Sequence, residues 1–376
     1  MTRTAEVVEA GIQATVQDFP GRYGMRARGF FPAGPMDHLA LRAANLLAGN
    51  PPSAAGLEVT LGGLTLRFDS DALVAVTGAE APVTLGGEPL PLWESRRAEP
   101  GAELQIGVSR GPGFRLYVAV AGGIDVPLLF GSRSTYTMGA LGGFEGRALQ
   151  QGDRLPLVSP SPDHGPKRLL TEARPQYTRD WEIEAMRGPQ ASPDFLTEHD
   201  VEAFFSRWWT VDRNSNRTGI RLEPHRFEWA RSTGGIAGGH PSNILDNSYP
   251  VGAVNINGDL PVILGLDGPT AGGFMCAATV VRAGIWKIGQ LRPTGDRVRF
   301  RELTFEEAVQ LSRELDSKLS CTTTRAAAGV RTSTTSSSGP VRRQETEPPV
   351  VLGSRIPGSC WSTASVRGLN PGAVTA

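Results

Sequence analysis

The sequence predicts a mainly β protein with a few helices, built as two similar β domains and followed by a disordered tail. Three observations carry this. Short runs rich in Val, Leu, Ile and aromatics recur through the body, each bounded by glycine. Turn formers are abundant, with 46 Gly and 29 Pro in 376 residues. One pattern occurs twice: Arg147–Leu157, RALQQGDRLPL, and Gln290–Phe300, QLRPTGDRVRF, both place a Gly-Asp turn before a strand that closes a strand-rich segment.

In chain order, the expected strands include Leu64–Phe68, Ala72–Thr77, Leu104–Val108 and Arg115–Val120. Trp181–Met186, Gly252–Ile256, Val262–Leu266, Ala278–Val281 and Arg297–Arg301 follow. Many short strands at close spacing favour a barrel or sandwich over a parallel βαβ sheet. Three helices interrupt them. The first follows Asp37, carries Leu39, Ala43, Leu46 and Leu47, and stops at Gly49-Asn50-Pro51-Pro52. The second follows Thr197, with Val201, Phe204, Phe205 and Trp208 at helical spacing. The third opens on the capping box Thr304–Glu307 and carries Ala308, Leu311, Leu315 and Leu319; it is expected to end near Leu319, where the apolar stripe stops. The expected domains are 5–158 and 178–319, joined by the proline-rich linker 159–177. Residues 321–340 include six Thr and four Ser, so 320–376 is expected to be disordered, non-native sequence left by a frame shift or gene break in a longer gene.

Composition excludes several function classes. Lys plus Arg and Asp plus Glu are both 38, which argues against nucleic acid as a partner. No apolar run is long enough to span a membrane, and the N-terminus lacks a secretory leader's apolar stretch. Cys276, Cys321 and Cys360 form neither a disulfide framework nor a zinc pattern, so a reducing, cytoplasmic setting is expected, with no metal. There is no phosphate loop, no G-x-S-x-G elbow and no Ala-Met-Lys-Met-type segment for biotin attachment.

Three segments combine glycine with polar groups. FPAGPMD (Phe31–Asp37) reads as a turn leading to an N-cap aspartate. AGGIDVPLLFGSRST (Ala121–Thr135) pairs Gly122 and Gly123 with Arg133, whose fork suits a carboxylate or carbonyl oxygen; a tight turn with a solvated arginine fits as well. GGHPSNILDN (Gly238–Asn247) concentrates His240, Ser242, Asn243, Asp246 and Asn247. Such donors and acceptors suit a small amide or urea-like group, although an Asx-turn loop could instead satisfy itself. Asp267-Gly268-Pro269 and Gly272-Gly273 read as a second backbone-exposing loop facing it.

At these segments the chain resembles the carboxyltransferase region of biotin-dependent urea carboxylase and urea amidolyase, the allophanate hydrolase subunit 2 type, which is related to a component of 5-oxoprolinase. The resemblance is carried by GIQATVQDFPGRYG (11–24), GPMD (34–37), LEVTLGGLTL (57–66), YVAVAGGIDVPLLFGSRST (117–135), HPSNILDN (240–247), 258–274 and WKIGQLR (286–292). Leu245 departs from it, standing where a polar residue is usual. The resemblance implies two cyclophilin-like β barrels and transfer of a carboxyl group from carboxybiotin to urea, giving allophanate. It also implies partners: a biotin carboxylase domain using ATP, a biotin carrier domain and a second carboxyltransferase subdomain. This chain would then be a fragment holding at most the second half-reaction. On that reading Arg133 and His240 are candidate catalytic residues, and Asn243, Asp246, Asn247 and Asp267 candidate substrate-binding residues. The backbone N–H groups of Gly122, Gly123, Gly272 and Gly273 would face developing oxyanion charge or biotin. The alternatives are a component of an ATP-dependent 5-oxoprolinase and a non-catalytic regulatory binder of the same family.

Overall fold

Short, mostly buried strands organise three sheets. The computed structural model describes residues 3–160 and 165–328. The first half contributes β1 (Thr4–Ala10), β2 (Gln13–Gln17), helix α1 (His38–Ala48), β3 (Gly56–Thr60), β4 (Leu64–Phe68), β5 (Ala72–Gly78), β6 (Val83–Leu85), β7 (Glu88–Pro89), β8 (Glu94–Ala98), β9 (Glu103–Ile106), β10 (Arg115–Val120) and β11 (Arg154–Pro156). They form one sheet in the order β11-β1-β4-β9-β6-β7 and another in the order β2-β3-β10-β5-β8. Between them lies an apolar core that includes Val7, Val59, Leu66, Phe68, Val76, Leu104 and Val118. Leaving water accounts for most of its stabilisation, at about 25 cal/mol per Å² of apolar surface.

The second half contributes β12 (Asp180–Arg187), helix α2 (Glu198–Ser206), β13 (Trp209–Thr210), β14 (Gly219–Arg221), β15 (Asn243–Ser248), β16 (Ala253–Asn257), β17 (Leu260–Leu264), β18 (Ala271–Val280), helix α3 (Ile285–Ile288), β19 (Arg297–Glu302) and helix α4 (Phe305–Ala328). Its sheet runs β13-β19-β12-β18-β16-β17-β14, with β15 paired to β18. The β12–β19 pair is parallel and the other pairs are antiparallel. The core of this half holds Trp181, Phe204, Trp209, Ile256 and Phe300, and it takes in Met36 and Leu39 from the first half.

All the strands expected from sequence occur, with shifted ends; the largest shift is in β18, which begins at Ala271 rather than Ala278. Helix α1 starts where the Asp37 carboxylate accepts from the N–H groups of Leu39 (3.0 Å) and Ala40 (3.1 Å), and it ends at Gly49 with φ 78°. It lies across β5 and β10. Helix α2 stops before Trp208, which sits over Arg297 and Arg299; Trp209 is the tryptophan that enters the core. The Thr304–Glu307 capping box forms in both directions, at 2.8 and 3.2 Å. Helix α4 runs through Ala328, nine residues beyond the expected end at Leu319. An apolar stripe marks where a helix packs, not where it must stop, and Ala326–Ala328 are strong helix formers. The rest of the expected disordered tail, 329–376, lies outside the described residues.

Candidate functional site

Several of the segments that carry the resemblance meet in one buried polar network where the two halves touch. Glu58, in the otherwise apolar β3, is its centre. Its Oε1 faces Arg217 Nη1 at 2.6 Å and Arg115 Nε at 3.3 Å. Its Oε2 accepts from Met36 N–H at 2.7 Å and the Tyr117 hydroxyl at 2.8 Å. Burial alone would raise the Glu58 pKa, but Arg217, Arg115 and these hydrogen bonds outweigh it and hold the carboxyl below its usual range. Arg217 also binds Asp267 through Nε (2.7 Å) and Nη2 (3.0 Å), and donates to Gly34 O at 2.9 Å. The other carboxylate of the network, Asp37, accepts from Tyr177 Oη (2.8 Å) and Gln290 Nε2 (2.9 Å). Gln290 Oε1 closes the joint by accepting from Phe114 N–H and Arg115 N–H at 2.8 and 3.0 Å. Burial pushes the Asp37 carboxyl up to about 6 against its hydrogen bonds from Gln290, Tyr177 and the Leu39 and Ala40 N–H groups.

Asp267 lies inside this network: both of its oxygens accept from Arg217, in the same half, and its side chain is buried. The first glycine pair is hydrogen-bonded within the chain: Gly122 N–H donates to Asn50 Oδ1 (2.8 Å) and Gly123 N–H to Val120 O (2.8 Å). Gly272 and Gly273 lie in β18, where Gly272 faces Asn247 across the ladder, and not in an exposed loop. A Cβ at 272 would stand 3.0 Å from the Tyr249 ring, a contact that the ring would have to yield to.

Arg133 belongs to a second cluster, around Asp18. The Asp18 carboxylate accepts from Ser132 Oγ (2.5 Å), Ser134 Oγ (2.6 Å) and Arg133 N–H (2.7 Å). Arg133 Nε is held by Val126 O at 2.8 Å. Among the described residues its hydrogen bonds do not reach the 240–247 segment. Two arginines that sequence patterning does not single out lie nearby. Arg22 is only 1% exposed; its Nη2 donates to Ser134 O, while Nε and Nη1 have no partner. Arg26 donates through Nη2 to Tyr249 O, just past β15, and its buried Nη1 has no partner. A charged residue in the loop segment PGRYG is the sequence signal for Arg22, and Arg26 follows two residues after that segment.

His240, Asn243, Asp246 and Asn247 do come together, on β15 and the turn before it. His240 Nδ1 accepts from Ser242 N–H at 3.2 Å and lies 3.0 Å from Ser242 Oγ, which itself accepts from Gly258 N–H. A ring nitrogen that accepts a main-chain N–H carries no proton, so the proton sits on Nε2. The ring is exposed and stands edge-on to Trp229 at 5.1 Å. Asn243 turns its amide inward to Gly238 O (3.1 Å), which shapes the turn. Asp246 is exposed, and Asn247 is half-buried with its amide 3.5 Å from Gln190 Oε1. Among the described residues, no group of three or more His, Cys, Asp or Glu is placed to hold a metal ion, and no helix is long and apolar enough to cross a membrane.

Residues 28–302 match the model of the carboxyltransferase domain, subdomain A and B. The chain is 41% identical over 317 residues to urea amidolyase of Saccharomyces cerevisiae, covering 83% of this chain and 17% of that protein. It is 35% identical over 312 residues to a 5-oxoprolinase subunit of Escherichia coli, covering 81% of this chain and 93% of that one. The crystal structure of Kluyveromyces lactis urea carboxylase superposes with a TM-score of 0.81 at 41% identity, over 85% of this chain and 29% of that chain. The chain thus spans under a third of these urea-named relatives, and most of the 5-oxoprolinase subunit. With the family model matching residues 28–302, across both halves, the chain belongs to the carboxyltransferase subdomain A and B family.

Proposed function

We propose that this chain performs the carboxyltransferase half-reaction of a biotin-dependent urea carboxylase, forming allophanate from urea. The observation that carries the reading is the 41% identity to urea amidolyase, above the 35% to the 5-oxoprolinase subunit. Biotin, carboxylated on a separate carrier domain by a biotin carboxylase domain that uses ATP, supplies a labile N-carboxyl group. This chain's residues bind, orient and exclude water. Asp246 accepts from a urea NH2, and the Asn247 amide can pair with both the carbonyl and an amino group. His240 offers Nε2–H to oxygen charge that develops as the carboxyl group leaves one nitrogen for the other. Arg133, fixed to Val126 O and Asp18, anchors its loop. The donor set fits the group: β15 supplies neutral and acidic partners for urea, and the 21–28 loop supplies cationic nitrogens with unfilled hydrogen bonds.

The test mixes the chain with biotin carboxylase, carboxyl carrier and the second carboxyltransferase subdomain, with ATP and labelled bicarbonate. Urea-dependent appearance of label in allophanate is expected. A second reading, a 5-oxoprolinase component, is favoured by the 93% coverage of the E. coli protein. Consumption of 5-oxoproline with its companion subunits, and no urea-dependent label, would replace the first reading with the second.

A further inference from the structure

The 21–28 loop holds two cations that the protein itself leaves incompletely bonded. Arg22 is essentially without solvent contact, and Nε and Nη1 of its guanidinium have no protein acceptor. The group is not free to turn toward one. Its Nη2 is fixed on Ser134 O, and Gly142 closes over that contact: a Cβ at Gly142 would lie 1.9 Å from Nη2. The two carboxylates whose charge reaches Arg22 are both engaged elsewhere. Asp18 is filled by two serine hydroxyls and a main-chain N–H, and Asp267 by Arg217. Arg26, further along the same loop, is fixed on Tyr249 O and 3.5 Å from Pro269 O, with buried Nη1 left over. Tyr249 directly follows β15, and its ring lies against Gly272. The loop therefore carries a buried, under-bonded guanidinium, Arg22, and four residues on a half-buried one, Arg26, fixed at the end of the strand that carries Asp246 and Asn247. A buried donor without an acceptor is costly, and more so when charged. A planar oxyanion is the chemical class that satisfies both the open N–H bonds and the charge.

We propose that Arg22, assisted by Arg26, binds the carboxylate end of an N-carboxylated amide, next to the β15 groups that hold its amide end. This rests on the carboxyl-transfer reading above and assigns the cationic half of that site. It also distinguishes the two ends: β15 has no cation among the residues assigned to urea, whereas the loop has no free acceptor on either guanidinium.

The probes are malonamate, a stable analogue with an amide at one end and a carboxylate at the other, and malonamide, its neutral counterpart. Calorimetric titration of the full chain is expected to show malonamate binding at least tenfold tighter than malonamide. Arg22→Gln and Arg26→Gln should each weaken malonamate at least tenfold and leave malonamide unchanged, and Arg22→Lys should recover part of the loss. Equal binding of the two probes by the unaltered chain overturns the proposal, as that pattern means water alone fills the open N–H groups. So does undiminished malonamate binding in both Gln variants. If Arg22→Gln does not fold, the probe preference of the unaltered chain and the Arg26→Gln titration decide. Binding is read without turnover, so urea-dependent transfer with no malonamate preference removes this assignment alone. Loss of urea-dependent transfer with the preference intact removes the urea reading alone.

Discussion

Replacing Arg217 by Met is the sharpest perturbation of the joint between the halves. The guanidinium makes four hydrogen bonds, to Glu58 Oε1 (2.6 Å), Asp267 Oδ2 (2.7 Å), Asp267 Oδ1 (3.0 Å) and Gly34 O (2.9 Å). Its side chain and those of Glu58 and Asp267 are 6%, 1% and 4% exposed, so solvent cannot take over. Met fills the volume and removes the charge, leaving Glu58 with Arg115, Met36 N–H and Tyr117, and Asp267 without its cation. Breaking a buried pair from one side costs about 3–5 kcal/mol. At about 2–4 °C per kcal/mol for a large domain, the thermal midpoint should fall by about 6–20 °C. The loss should depend on pH with a definite sign. Arg217 helps hold the Glu58 carboxyl below its usual range, so the stability it lends through Glu58 is present above the ordinary Glu value and lost as pH falls below it, and the deficit should shrink there. Scanning calorimetry at pH 4 and 8 measures both effects. Arg67→Met, which removes exposed pairs to Glu103 and Glu6, serves as the control and should leave the midpoint nearly unmoved. A fall under about 2 °C for Arg217→Met, or an equal fall at both pH values, would refute the view that this network is a closed, water-free joint.

The Asp37 carboxyl, with a folded pKa of about 6 against about 3.9 unfolded, binds its proton more tightly in the native state. Stability attributable to it is therefore fully present below about pH 4 and lost as pH rises through about 6, a difference of about 3 kcal/mol; Asp37→Asn should flatten that part of the stability–pH curve from calorimetry. Gly122→Ala should destabilise by well over 1 kcal/mol (about 2 or more), since φ is +95° and a Cβ would lie 2.2 Å from Val158 O; Gly87→Ala, at φ +86° with open space, should cost only about 1 kcal/mol. Chemical denaturation of the two glycine variants reads the contrast. Asp246→Ala and Asn247→Ala should each lower kcat/KM for urea by about 10- to 100-fold, with the thermal midpoint unchanged because Asp246 is exposed and Asn247 only half-buried; unaltered kinetics would move the urea-binding groups off β15.

The fold is legible in the sequence because its determinants are local. Leu64–Phe68 and Arg115–Val120 coincide with β4 and β10, since runs of Val, Leu and aromatics bounded by turn residues suit a pleated, buried surface whatever they pair with. The caps at Asp37 and Thr304 are legible for the same reason. Helix α4 outruns its expected end because its packing stripe stops before its backbone does. Gly272-Gly273 resembles a loop because glycine is uninformative about pairing; its partner Asn247 and the Tyr249 ring against it, both distant in sequence, are visible only in the fold.

The site is less legible because side-chain role depends on partners far along the chain. Arg133 and Arg22 look equivalent in sequence, each an arginine in a glycine-containing loop. Folding ties Arg133 Nε to Val126 O and leaves Arg22 buried with two open nitrogens. Asp246 and Asp267 likewise look alike; one is exposed on β15, and the other is sealed against an arginine 50 residues away. Several segments that identify the family, GPMD, LEVTL, LGLDGP and WKIGQ, bring Asp37, Glu58, Asp267 and Gln290 into or alongside the joint. In this chain the buried charges of the joint satisfy one another, so these segments constrain architecture. On the carboxyl-transfer proposal, the residues that would distinguish urea from a cyclic amide are those the joint does not use: His240, Asp246 and Asn247 on one side, and Arg22 and Arg26 on the other.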